Sequence, residues 1–133
     1  MFLGEYQPSI DEKGRLALPK KLREQIQGGG VILSRGFEDS ILGYDKTKWE
    51  EEAFKQVDAP ISDARARHLK QYMYSGAAEV SFDEQGRFVI PPNLRSSARI
   101  GGEVTVIGAG DHFEIWETNL WKKHLAEIEE EVR

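Results

Sequence analysis

The sequence contains no cysteine, which excludes disulfide bonds, thiol nucleophiles and cysteine-ligated metal, and suits a reducing compartment. No apolar run approaches the length of a membrane span, which sets aside a helical transmembrane class and a membrane partner. Met1-Phe2-Leu3-Gly4-Glu5 has neither the basic start nor the apolar stretch of a secretory signal, so a cytoplasmic location is expected. Only three histidines occur, His68, His112 and His124, and they share no ligand spacing. The nearest approach to a catalytic dyad is Asp111-His112, in a predicted turn. Convergent acid, base and nucleophile groups cannot be assembled from this set, so no enzymatic activity, metal, cofactor or small-molecule substrate is expected. Gly28-Gly29-Gly30 closes a predicted helix where a phosphate loop would open one, and no Gly-Lys-Ser/Thr follows.

What is present is an internal repeat. Asp11-Glu12-Lys13-Gly14-Arg15, then Leu16-Ala17-Leu18-Pro19 and Leu22-Arg23, returns as Asp83-Glu84-Gln85-Gly86-Arg87, then Phe88-Val89-Ile90-Pro91 and Leu94-Arg95. The offset is 72 throughout (83 − 11, 95 − 23), and Trp49 and Trp121 keep it. Each copy reads as a strand, a tight turn, a second strand and a short helix. Asp accepts from the amides that follow it, and Gly supplies the positive φ that closes a hairpin loop. Halves of this size are marginal as independent folders, so the two are expected to share one core with interleaved strands. The expected organisation is a first repeat over residues 1–57, a connecting helical segment over 58–75, and a second repeat over 76–133 that ends in a helix.

In chain order, residues 4–10 predict an edge strand, because Pro8 cannot donate to a ladder. Arg15 to Leu18 is expected to pair back on it, and residues 19–27 to form a short helix. Residues 31–33 and 41–44 predict two strands. Thr47-Lys48-Trp49-Glu50 has a capping-box pattern, with Trp49, Ala53 and Val57 on one helical face. Ser62 or Asp63 caps a further helix, burying Leu69, Tyr72 and Met73 and carrying Arg65, Arg67, His68 and Lys70. Its basic side reads as a solvated face or as an auxiliary phosphate contact or subunit interface. The second copy repeats the order, with strands over residues 78–82, 88–90, 104–107 and 113–116. Thr118 caps a last helix, in which Trp121, Leu125, Ile128 and Val132 keep helical spacing.

Hydrophobic residues at 39% and charged residues at 31% describe a globular chain. The net charge of −5 argues against indiscriminate attraction to nucleic acid, but the charge is unevenly spread. Residues 11–23 carry Lys13, Arg15, Lys20, Lys21 and Arg23 against Asp11 and Glu12, whereas residues 83–95 carry Arg87 and Arg95 against Asp83 and Glu84. The first copy therefore has a basic face, and the second keeps its shape with less charge. A rigid hairpin tip bearing Lys13 and Arg15 suits the major groove or the phosphates of double-stranded DNA, since a guanidinium offers a planar fork to guanine O6 and N7. The alternative is that Arg15 and Arg87 pair with Asp11 and Asp83 and only staple the turns.

The paired motifs, with Phe2-Leu3-Gly4-Glu5-Tyr6, Tyr74-Ser75-Gly76-Ala77-Ala78-Glu79 and Gly110-Asp111-His112-Phe113-Glu114-Ile115-Trp116, resemble the MraZ family over essentially the whole chain. The resemblance implies an α+β fold of two AbrB-like, swapped-hairpin half-barrels with peripheral helices. It also implies a nucleoid-associated bacterial transcriptional regulator of the division and cell-wall gene cluster, assembled as a ring on short G-rich direct repeats of promoter DNA. It places the DNA contacts at Lys13, Gly14 and Arg15, with Gly86 and Arg87 as counterparts and Lys20, Lys21 and Arg23 as auxiliary DNA or interface residues. Gln85 stands where the first copy has Lys13. The alternative from another class is an oligomeric protein-binding module of antitoxin or scaffold type.

Overall fold

The computed structural model describes residues 1–55 and 59–133. It contains eight strands and five helices among those residues: β1 (Glu5–Tyr6), β2 (Arg15–Ala17), α1 (Lys20–Arg23), β3 (Gly30–Arg35), β4 (Ser40–Asp45), α2 (Trp49–Phe54), α3 (Ala64–Gly76), β5 (Ala78–Ser81), β6 (Arg87–Val89), α4 (Pro92–Ser97), β7 (Val104–Gly108), β8 (Phe113–Glu117) and α5 (Thr118–Val132). The strands form a six-stranded antiparallel sheet in the order β1-β7-β8-β4-β3-β5 and a separate two-stranded ribbon, β2-β6. The class is α+β. No ladder joins ribbon to sheet among the described residues, so the pairings define two antiparallel layers.

The register exposes the symmetry of the repeat. In the ribbon Leu16 faces Phe88, and in the sheet Leu42 faces Glu114. Each pair joins residues 72 apart (88 − 16 and 114 − 42), so an approximate two-fold axis passes through both. The first strands change places: β1 pairs with β7, Tyr6 opposite Val106, and β5 pairs with β3, Ala78 opposite Leu33. Tyr6 and Ala78 keep the offset of 72, but their partners Leu33 and Val106 are 73 apart (106 − 33), which places one extra residue in the second copy ahead of β7. Interleaving follows from burial: two short strands expose too much apolar surface alone, and exchange lets each repeat cover the other.

The sheet is covered on both faces. On one, Val31, Leu33, Ile41, Val104, Val106, Phe113 and Ile115 pack against Leu16, Leu18, Leu22, Phe88, Ile90 and Leu94 of the ribbon and of α1 and α4. On the other, Leu42 and Tyr44 meet Trp49 and Met73, with Leu69 and Ala53 at the margin. Trp116 faces Ser40, two residues along from Leu42, and so shares this second face; Trp121 of α5 packs on it at 5.5 Å. The ribbon and its turns thus occupy one side of the sheet, and α2, α3 and α5 the other. Trp121 Nε1 donates to Glu5 Oε1 at 2.9 Å, tying the last helix to the first strand. No helix among the described residues is long and apolar enough to cross a membrane.

Several local expectations change. Residues 9–17 pair back only through the Ile10–Leu16 bridge and flanking backbone bonds, because β2 spends its ladder on β6. The short helix stops at Arg23 instead of reaching residue 27. The capping box expected at Thr47 does not form: Lys48 precedes α2 with no side-chain cap bond, and Asp45 instead accepts from the N–H of Thr47, Gln27 and Gly28 ahead of the helix. Glu117 precedes Thr118 as the cap of α5, accepting from the N–H of Asn119 and Leu120, while Thr118 is buried against Thr105. Asp63 caps α3 through the Ala66 N–H, as expected, but Tyr72 is 40% exposed and not part of the buried face. Val57 lies outside the described residues.

Candidate nucleic-acid interface

Each turn is built from a single carboxylate. Asp11 Oδ1 accepts from the Lys13 N–H at 3.0 Å and the Arg15 N–H at 2.9 Å, and its Oδ2 accepts from Arg15 Nε at 2.6 Å. Asp83 does the same with Gln85 at 2.8 Å, Arg87 at 3.0 Å and Arg87 Nε at 2.9 Å. Bonding by the Arg15 N–H, opposed by some desolvation and helped by the Arg15 guanidinium and the Lys13 N–H, holds the Asp11 carboxyl below its ordinary value. The Arg87 N–H leads the same effect at Asp83. Both staples are partly solvent-exposed, so they orient the arginines more than they stabilise the fold.

Stapling uses one nitrogen. Arg15 and Arg87 each commit Nε to the turn aspartate, and neither has a further ion-pair partner among the described residues. The terminal amino groups therefore remain for a ligand, presented by a guanidinium whose plane is already fixed. The staple that closes each turn also orients the guanidinium, so the stapled arrangement leaves the rest of the fork unspent.

The turn glycines are fixed from across the axis. Gly14 has φ +80° and Gly86 φ +74°, where a side chain is strained. Ile90 N–H donates to Gly14 O at 2.9 Å, and Leu18 N–H to Gly86 O at 3.3 Å. Arg95 lies over Gly14, so that an added Cβ would stand 3.0 Å from its Nη1; Arg23 lies over Gly86, where a Cβ would stand 2.8 Å from its Cζ. Each tip is therefore composite. Lys13, Gly14 and Arg15 come from the first repeat with Arg95 from the second, while Gln85, Gly86 and Arg87 come from the second with Arg23 from the first. Arg23 Nε is bonded to Leu18 O at 2.9 Å, whereas Arg95 has no side-chain hydrogen bond or ion pair among the described residues. Sequence reasoning places Arg23 near the tips but leaves out Arg95, although its motif position matches that of Arg23. Lys20 and Lys21 are exposed on α1, beside the tips in sequence and without ion pairs among the described residues.

Other titratable groups gather away from the tips. His112 is held between Asp111, Nδ1 to Oδ1 at 2.6 Å, and Glu114, Nε2 to Oε2 at 2.9 Å, and stacks on Tyr44 at 5.3 Å between centroids. Burial alone would lower its pKa, but the bonds to Glu114 and Asp111 outweigh it and raise it. Glu114 and Asp111 are both held below their ordinary values, against burial and chiefly through their bonds to His112, so the arrangement favours the charged form of all three groups. Lys55 joins the cluster at 3.2 Å from Asp111, and burial with the nearby carboxylates pushes Tyr44 up to about 12. The cluster is an ion network that binds the β7–β8 turn to α2.

The family model described as "MraZ protein, putative antitoxin-like" matches residues 1–72 and again 73–133. Curated relatives called Transcriptional regulator MraZ align over nearly all of the chain. The protein of Roseiflexus castenholzii is 41% identical over 129 residues, covering 97% of this chain and 90% of its own. That of Herpetosiphon aurantiacus is 41% identical over 132 residues, covering 99% and 92%. That of Paenarthrobacter aurescens is 42% identical over 129 residues, covering 97% and 90%. With a motif-bearing repeat matched twice and whole-length relatives at this identity, the chain belongs to the MraZ family.

Proposed function

We propose that this chain is a DNA-binding transcriptional regulator whose principal reading head is the first hairpin tip, Lys13, Gly14 and Arg15. Gly86 and Arg87 form a weaker second head, and Lys20, Lys21 and Arg23 add phosphate contacts. The observation that carries this reading is the repeated aspartate staple, which presents a guanidinium with its terminal nitrogens unspent at each end of the β2–β6 ribbon. A two-stranded ribbon fits the major groove, and an oriented guanidinium suits guanine or phosphate. The names of the relatives support the regulator class.

The finer reading is of short G-rich direct repeats in the promoter of a division and cell-wall gene cluster, bound in the bacterial cytoplasm by a ring of copies. The exchange of β1 and β5 between repeats supports an AbrB-like, swapped-hairpin origin for each half. A chain of net charge −5 with few cations per tip binds weakly alone, and several linked tips raise avidity by roughly 10²–10⁴. The test is fluorescence anisotropy on a G-rich direct-repeat duplex across a salt series, comparing wild type with Arg15→Ala and Arg87→Ala. Loss of specific binding in Arg15→Ala with a smaller loss in Arg87→Ala is expected. Each lost phosphate contact should reduce the log–log salt slope by roughly one unit. Wild-type binding by both variants overturns the reading in favour of a protein-binding scaffold of antitoxin type.

A further inference from the structure

The ion network around His112 has a counterpart across the approximate two-fold axis. The repeat offset of 72 relates Asp111 to Asp39, His112 to Ser40, Trp116 to Tyr44 and Glu127 to Lys55 (111 − 39, 112 − 40, 116 − 44, 127 − 55). The register keeps the relation, since Ser40 faces Trp116 across the sheet as His112 stacks on Tyr44. At one place the His112 ring sits between the carboxylates of Asp111 and Glu114. At the other a small hydroxyl replaces the ring, and a cavity of about 520 Å³ opens, lined by Asp39, Ser40, Trp116, His124 and Glu127 among others.

Several groups in this cavity have unspent bonding capacity. Ser40 is 2% exposed, yet its Oγ has no hydrogen-bond partner among the described residues. Buried hydroxyls are ordinarily bonded, so this one marks a place where a further group belongs. Asp39 meets only Arg99, at 3.9 Å, and Glu127 has no ion pair among the described residues. His124 lies on Trp116 at 4.7 Å between centroids, so one flat ring is already accommodated here. Charge favours a cation: Glu38, Asp39 and Glu127 line the cavity against Arg35 and Lys123, and Arg35 is committed to Tyr72 O and Ser75 Oγ.

We propose that this cavity binds a small planar organic cation with N–H donors on two edges, an imidazolium or a guanidinium, through Asp39, Glu127 and the Ser40 hydroxyl. The fold uses the same chemistry at the related position, where a flat ring bonds to two carboxylates. A bound cation ties the β3–β4 turn to α5, as His112 and Lys55 tie the β7–β8 turn to α2. The site lies on the sheet face away from the ribbon, and the proposal does not rest on DNA binding.

The test is fluorine NMR of the whole chain labelled with fluorotryptophan, whose three signals come from Trp49, Trp116 and Trp121 and are assigned with Trp116→Phe. It is titrated with imidazolium chloride at pH 6 and, separately, with tetramethylammonium chloride, a cation without N–H groups. The Trp116 signal should move and saturate with imidazolium while that of Trp49 stays in place, and tetramethylammonium should give no saturating shift. Asp39→Asn with Glu127→Gln should raise the Kd by roughly tenfold or more, because two charged bonds are lost. Ser40→His supplies the ring found at the related position and should abolish the saturating shift, with circular dichroism checking that each variant is folded. A wild-type signal that never saturates, an equal response to tetramethylammonium, or unchanged affinity in the folded carboxylate variant overturns the proposal.

Discussion

Leu16 and Phe88 hold the same place in the two repeats and are each other's partner in the ribbon, both 2% exposed or less. The pair sits on the approximate two-fold axis and packs into the cluster shared by both halves, so neither half has a core without it. Leu16→Ala should cost about 2–5 kcal/mol and Phe88→Ala about 3–5 kcal/mol. Both should lower one common transition for the whole chain, as read by urea denaturation followed at tryptophan and in the far-ultraviolet. Two separate transitions would mean that the repeats fold as independent units.

Gly14→Ala combines a positive φ with a Cβ set 3.0 Å from Arg95 and 3.3 Å from Ile90 O. The left-handed conformation alone costs about 1–2 kcal/mol for a residue with a side chain. The neighbour on one side is backbone and cannot yield, so the tip must shift. A lowered urea midpoint together with weaker DNA binding is expected. Unchanged affinity in the variant would show that the tip geometry does not matter to the ligand.

Gln85→Lys makes the second tip chemically like the first without altering the Asp83 staple, since position 85 contributes only its backbone N–H to the turn. The variant should bind the direct-repeat duplex more tightly at low salt, with a salt slope steeper by roughly one unit. Arg95→Ala should shift the slope the opposite way and mimic part of the Arg15→Ala defect, because Arg95 lies on the first tip despite its place in the second repeat. A slope that moves in neither variant would take both positions off the phosphate path.

The ion network and the staples predict opposite pH limbs. His112 has a raised pKa in the fold, so its contribution is fully present below its ordinary value of 6.5 and is lost as pH rises through the raised value. His112→Gln should therefore narrow the difference in urea midpoint between pH 6 and the alkaline side. Asp11 and Asp83 have lowered pKa values, so the order they impose is present above their ordinary 3.8 and is lost only as pH falls below it. Amide resonances of Gly14 and Gly86 should move on that acid limb, while those of the β7–β8 turn respond on the alkaline one.

The parts legible in the sequence were those set by neighbouring residues. The turns announced themselves because Asp and Gly act within five positions, and the strands because alternation marks a buried face. The partner of each strand was not legible. Alternation in residues 15–18 says which side is buried but not whether the edge meets Ile10 or Phe88, and the long-range ladder prevailed because it joins two halves of one core. Arg95 was overlooked for the same reason: its neighbour Gly14 lies across the axis, at a distance in sequence that no local pattern spans. Asp111-His112 reads only as part of a turn, since nothing in the pair tells that Glu114 and Tyr44 close around the ring.

The exchange of first strands also sets a timetable for synthesis. Glu5 and Tyr6 find their partners only in Ile107 and Val106, so the first strand leaves the ribosome and waits for nearly the whole chain. At ordinary elongation rates that interval is on the order of ten seconds. During it the nascent first repeat lacks both the strand that β5 brings to β3 and the helix whose arginine seats its turn. The first tip is therefore completed only once α4 has emerged, and a chain truncated anywhere before Arg95 has no finished tip to offer.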